Sequence, residues 1–284
     1  MRSTLNYVKT GILFAALTAL LVAIGYIIAG RTGAIFFLLI SFIINFISYW
    51  FSDRIALSMA GAQPLLEQDA PDVYKDIRDL VAIMDLPMPK IYVSDQPQPN
   101  AFATGRNKEH SAVCITKGLL QILNRDEIKG VLAHELSHVK NNDVLISTIA
   151  AVIAGAISSI VNIAFWFGGS NDKENTNPFA GILLLILAPI SATLLQLAIS
   201  RSREYAADIS GAEYTKKPQD LANALVKIEN AANQIPMNVN PSLSSLYIQN
   251  PLRTEGFKEL FSTHPSTANR VAKLIQLEGE LDHK

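Results

Sequence analysis

The chain has 284 residues, 49% of them hydrophobic and only 17% charged, where about a quarter is charged in an ordinary soluble protein. A net charge of −1 leaves no electrostatic footprint for nucleic acid, so no nucleic-acid partner is expected. The single cysteine, Cys114, excludes an intramolecular disulfide and a cysteine-built zinc cluster, and reads as a small buried hydrophobe.

The apolar residues are gathered into blocks. Residues 11–30 and 32–52 carry no charge, and neither do residues 144–170 and 175–200. Each block holds an apolar stretch near the roughly 20 helical residues that cross a hydrocarbon core. The first run is too long for the core of a cleaved signal peptide and is followed at once by a second, so it reads as a retained anchor. The expectation is a mainly α membrane protein with four transmembrane helices in two hairpins. Arg2, Lys9, Arg54, Lys140, Arg201 and Arg203 flank the spans on one side, with only Arg31 and Lys173 on the other. The positive-inside rule therefore places both termini and the soluble parts in the cytoplasm. Residues 1–52 form the first hairpin and 144–200 the second. Residues 53–143 and 201–284 form one discontinuous soluble domain, with the lipid bilayer as a partner of the whole.

In the first soluble piece, Val73, Ile77, Leu80, Val81 and Met84 fall at helical spacing and predict a helix over Pro71–Met84. Short strands are expected at residues 91–93 and 112–116. Residues 124–127, Asn-Arg-Asp-Glu, have the form of a capping box that opens the next helix. That helix carries the motif with most chemistry in it: His134-Glu135-Leu136-Ser137-His138, or H-E-x-x-H. Positions four apart share a helix face, so His134 and His138 can offer two imidazole nitrogens to one metal ion. Glu135 stands beside it as a general base for water. The apolar stripe of Ile128, Val131, Leu132, Leu136 and Val139 argues that this helix is packed rather than a surface helix with two solvated histidines. Zinc is the expected ion and hydrolysis, most often of peptides, the expected reaction.

A catalytic zinc usually has three protein ligands and one open position. The third ligand is open to His110, His264, His283 or a carboxylate. Residues 200–208, expected to continue the last span as a helix, place Glu204 and Asp208 four apart on one face. One carboxylate could ligate while the other orients a histidine N–H. Further helices are expected at 220–235 and 267–277. Residues 237–252, with two prolines, three asparagines and no period, read as a flexible loop near the substrate path.

H-E-L-S-H, a membrane hairpin and then Glu204-Tyr205-Ala206-Ala207-Asp208 resemble the HtpX membrane zinc metalloproteases, relatives of the CAAX prenyl protease. Asn100-Ala101-Phe102-Ala103-Thr104-Gly105 and the segment from His264 to Arg270 resemble two further family segments. The resemblance covers nearly the whole chain and implies a cytosolic zincin-like α+β metalloprotease domain with a short β-sheet. It implies one Zn2+ held by His134, His138 and Glu204, Glu135 as base, and Asp208 as partner of a ligand histidine. The Asn100 segment would be an edge strand pairing with an extended substrate, where a plain loop is the alternative. His264 and Arg270 would assist the oxyanion or brace the Glu204 helix. The family implies a bacterial cytoplasmic membrane protease that cuts misfolded or damaged membrane proteins under stress and cleaves itself when zinc is supplied. A narrow prenyl-protein protease and a non-enzymatic scaffold with structural zinc are the alternatives.

Overall fold

The computed structural model describes residues 2–168, 193, 200–237, 239–251 and 265–282. The chain opens with α1 (Arg2–Trp50), two helical legs that meet at Ala29 and Gly30, where φ changes from −142° to +59°. The legs, Asn6–Ile27 and Ala29–Trp50, are each 22 residues long. They leave Ile12, Ile27, Phe36, Leu39 and Phe42 exposed, a lipid-facing surface rather than a soluble one.

These are the two helices among the described residues that are long and apolar enough to span a bilayer by themselves. The expected count of four therefore rests here on two. The reason lies in α6 (Val144–Gly168), which starts at a corner bent 91° from the preceding helix. From Val144 to Ile157 all its side chains but Ser147 and Ala156 are buried in protein. Its apolarity serves a core as much as a membrane. The return leg expected over residues 175–200 falls almost wholly outside the described residues.

After α2 (Ser52–Met59) and strand β1 (Ala62–Pro64), α3 (Pro71–Met84) forms over the predicted span, with Pro71 at its first turn and Asp85 in the left-handed conformation beyond its end. Strands β2 (Lys90–Ser94), β3 (Ala101–Asn107) and β4 (His110–Thr116) complete a small sheet of order β1-β2-β4-β3. β4 runs parallel to β2 and antiparallel to β3, so β3 is an edge strand. After α4 (Lys117–Ile122) comes α5 (Arg125–Lys140). The capping box is present: the Glu127 N–H donates to Asn124 Oδ1 and the Asn124 N–H to Glu127 Oε2, both at 2.9 Å. The Ile128 to Val139 stripe lies in the main core with Ile77, Leu80 and Met84 of α3.

The second piece adds α7 (Arg201–Thr215), α8 (Pro218–Ala232), a 3-10 turn at Pro241–Ser245 and α9 (Thr267–Asp282). Two expectations change here. Ser200 is extended (φ −143°, ψ 122°), so α7 starts afresh at Arg201 instead of running on from a span. Residues 239–251 are a packed strap rather than a flexible loop. Asn240 caps the 3-10 turn, Tyr247 is fully buried with its ring edge-on to Phe102 at 5.0 Å, and the Ile248 N–H donates to Ala101 O at 3.0 Å. Apolar residues with no regular period can still be buried when they follow an edge strand rather than a helix face.

Candidate metal centre

The H-E-x-x-H residues sit mid-helix in α5, with His134 and Glu135 buried and His138 at its inner end. α7 lies across them because Gly211 lets the two backbones touch: a Cβ there would come within 2.9 Å of the His134 backbone nitrogen. That close crossing brings Glu204 to the two histidines. His134 Nε2 and His138 Nε2 are 3.2 Å apart, with Glu204 Oε1 3.5 Å from His138 Nε2 and Oε2 3.8 Å from His134 Nε2. An ion with ligand bonds of about 2.1 Å in a tetrahedron has ligand–ligand edges of about 3.4 Å. The triangle is therefore the right size for zinc, and among the described residues the group has three members, which leaves a fourth position open.

The outer partners agree with that reading of the donors. Asp208 Oδ1 lies 2.9 Å from His134 Nδ1, and Asp143 Oδ2 lies 3.4 Å from His138 Nδ1. Each carboxylate draws the ring proton to Nδ1 and leaves the Nε2 lone pair facing the centre. Two lone pairs and a carboxylate converging this closely repel one another unless a cation lies between them. His138 registers the excess negative charge. Burial disfavours its charged form, yet Glu204, Asp143 and Glu135 together push its pKa up to about 9. For His134 burial prevails over Asp208 and the pKa falls.

Glu135 lines a small cleft with Ala103, His138, Glu204, Ser245 and Leu246 among others. The cleft holds about 30 Å³, room for a water or two. Burial pushes the Glu135 carboxyl up to about 7, opposed by His138 and by a hydrogen bond from the Ala103 N–H of β3.

Asp208 is held in turn by Arg270 of α9. The Arg270 Nε donates to Oδ2 at 2.8 Å and Nη2 to Oδ1 at 2.6 Å, while Nη1 donates to Ile248 O at 3.0 Å. Arg270 is fully buried, and its guanidinium faces Asp208 and the strap rather than the cleft. Although the charged forms are opposed by burial, this pairing holds Asp208 down at about 2. Asn100 is also fully buried and does not line the cleft: its Nδ2 donates to Gln249 O at 2.8 Å, and its Oδ1 accepts from the Gln249 N–H at 3.3 Å. His264 and His283 lie outside the described residues. His110 is exposed in the β3–β4 turn, bonded to Asn107 and away from the three donors.

Sequence reasoning missed Asp143. The α5–α6 corner ends in a Schellman motif, with Asn142 left-handed at φ 56°, the Asp143 N–H on His138 O and the Asn142 N–H on Val139 O. This turn presents the Asp143 side chain to His138, and the signal was Asn141-Asn142-Asp143 directly after the end of α5. It also missed Asn6 in the first membrane leg, whose Nδ2 donates to Asp143 Oδ1 at 3.0 Å and whose Oδ1 accepts from Arg203 Nη1 at 3.3 Å.

Comparison with known proteins agrees with this geometry. Residues 67–278 match the model of Peptidase family M48. A "Protease HtpX homolog" of Pelotomaculum thermopropionicum is 51% identical over 276 residues, covering 95% of this chain and 98% of that protein. One from Burkholderia thailandensis is 49% identical, covering 96% and 97%. The crystal structure of S. mikatae Ste24p superposes with a TM-score of 0.50 at 19% identity, over 95% of this chain and 65% of that one, a likeness of fold. The chain thus belongs to peptidase family M48, as a metalloprotease of the HtpX type.

Proposed function

We propose that this metalloprotease is a zinc-dependent endopeptidase held by several spans in a bacterial cytoplasmic membrane, with its site on the cytoplasmic side. Its substrates are misfolded or damaged membrane proteins, cut where their chains emerge from the bilayer. His134, His138 and Glu204 would hold the ion, and zinc would supply Lewis acidity that acidifies a water and polarises the scissile carbonyl. Glu135 takes the proton from the attacking water and delivers it to the leaving nitrogen. Burial of the Glu135 carboxyl favours its taking up a proton, and Ala103 of β3 lines the cleft beside it. Asp208 and Asp143 keep the imidazoles turned with Nε2 inward, and Arg270 keeps Asp208 ionised. An extended substrate would pair with β3 beyond Ala101, whose carbonyl is taken by Ile248.

The observation that carries this reading is the triangle of three donors with an open fourth position and Glu135 beside it, next to a membrane hairpin. The topology and substrate class rest on the placement of basic residues about the spans and on the HtpX relatives. The test is cleavage of an unfolded reporter protein by chain purified metal-free in detergent, with zinc added back and Glu135→Gln alongside. Zinc-dependent cleavage by the wild type alone is expected. No cleavage with one zinc bound per chain would make the metal structural, or the substrate a narrow prenyl-protein class.

A further inference from the structure

A second cavity, of roughly 560 Å³, opens where the Ala29–Trp50 leg leaves the apolar region, far in sequence from the metal ligands. One wall is aromatic: Phe46, Trp50 and Phe51, all exposed. Such a cluster at the end of an apolar helix marks the membrane–water interface. The rest of the lining comes from the start of α2 and the rim of the sheet, and it is basic. Arg54, Lys90 and Arg106 bring three positive charges against the single negative charge of Asp53.

The rim is shaped to deliver one of these cations. The β3–β4 register breaks between Gly105 and Asn107, a bulge that turns Arg106 out of the ladder. Gly105 makes the bulge possible, with φ at +147° and no space for a Cβ against the His110 carbonyl. Arg106 then reaches the end of the membrane leg. Its Nη1 donates to Trp50 O at 3.1 Å and its guanidinium carbon lies 4.8 Å from the centre of the Trp50 ring. Arg54 is placed likewise, 5.6 Å from the centre of the Phe51 ring. Neither arginine is neutralised by these contacts, because a carbonyl and two rings hold a guanidinium without cancelling its charge. The net charge of the cavity wall therefore remains positive.

We infer that this cavity binds the headgroup of an anionic phospholipid. The phosphate would sit among Arg54, Lys90 and Arg106, with the acyl chains running down the aromatic wall along the Ala29–Trp50 leg. The occupant is a lipid rather than a free anion because the cations stand at the interface level and the adjoining helix surface is apolar and exposed. The same strand that carries Arg106 carries Ala103, three residues away, which lines the catalytic cleft with Glu135, so the occupied cavity would pin to the membrane the strand that forms one wall of that cleft.

Native mass spectrometry of the full-length chain released from detergent tests this, with dioleoyl phosphatidylglycerol and dioleoyl phosphatidylcholine titrated in parallel. Phosphatidylglycerol should be retained preferentially. Each cation near the headgroup strengthens binding about fivefold, so Lys90→Gln with Arg106→Gln should weaken phosphatidylglycerol retention roughly twenty- to thirtyfold. Phosphatidylcholine retention should barely change, and Lys75→Gln, outside the cavity, should behave as wild type. If the double variant fails to fold, Lys90→Gln alone should lose about fivefold. Equal retention of the two lipids by the wild type, or an undiminished preference in the variants, would overturn the inference. Displacement of the lipid by millimolar inorganic phosphate would also overturn it, by assigning the cavity to a free anion.

Discussion

Asn6 offers the sharpest test of how the metal centre is held. It is 4% exposed in the first turns of a membrane leg, where an amide has no partner in lipid. Its Nδ2 donates to Asp143 Oδ1 at 3.0 Å and to Asn142 O at 3.3 Å. Asp143 is 5% exposed and turns its other oxygen to His138 Nδ1. Asn6→Leu keeps the volume and removes the donor. A hydrogen bond to a buried charged group contributes about 1.5–3 kcal/mol. Arg203 Nε remains 4.0 Å from Asp143 Oδ1 and can move closer once it loses Asn6 Oδ1, so the lower end applies. About 1.4 kcal/mol is a factor of ten, which sets the expected loss of zinc affinity at about tenfold, within the range for losing an outer partner of a ligand histidine. The assay is zinc competition between the metal-free chain and a chromophoric chelator. Visible absorption of the cobalt-substituted chain adds a reading of ligand geometry. A structural role for Asn6 would lower the thermal midpoint of the metal-free chain and leave the cobalt bands alone. An unchanged zinc dissociation constant in a folded Asn6→Leu chain would refute the argument that the first membrane helix steadies the site.

Other outcomes follow from the same geometry. Glu204→Gln should weaken zinc binding by more than about a hundredfold, beyond what an outer partner contributes, and full occupancy at trace zinc would remove Glu204 from the ligand set. Arg270→Met leaves Asp208 as a buried charge without its bidentate partner, a loss of about 3–5 kcal/mol read as a lower thermal midpoint together with reduced zinc content. Unchanged zinc content with lost turnover would place Arg270 in the chemistry instead. Cys114 is 1% exposed in β4 and burial pushes its thiol pKa far up, so its thiolate fraction at neutral pH lies well below that of a free cysteine. It should resist maleimide in the native chain and react on unfolding; rapid labelling of folded protein would contradict the packing of the sheet.

The sequence was most legible where a local rule acts alone. The period of Val73 to Met84 sets α3 and the Asn124–Glu127 box sets the start of α5, because both depend on residues within one or two turns. The same locality made His134, Glu135 and His138 visible as a group. The strap over residues 239–251 was illegible because its burial depends on Phe102 and Ala101, well over a hundred residues upstream. Apolar composition by itself does not separate membrane from core. Residues 144–170 read like a span, and over 144–157 β3, α1 and the 3-10 turn cover most of the helix with protein. Asn6 was missed for a related reason: it is an ordinary polar residue by itself, and its meaning comes from Asp143, 137 positions away.

That separation has a consequence for when the site exists. His134 is steadied by Asp208, which needs Arg270 from the last helix, 62 residues on. His138 is steadied by Asp143, which needs Asn6 from the first. The zinc-sized triangle therefore depends on both ends of the chain, although its own members span only residues 134–204. A chain still being made, or one whose first leg has not yet been seated, leaves one of these carboxylates without its donor in a buried setting, at a cost comparable to the bond itself. Binding of the metal is thereby coupled to completion of the fold and to docking of the membrane hairpin.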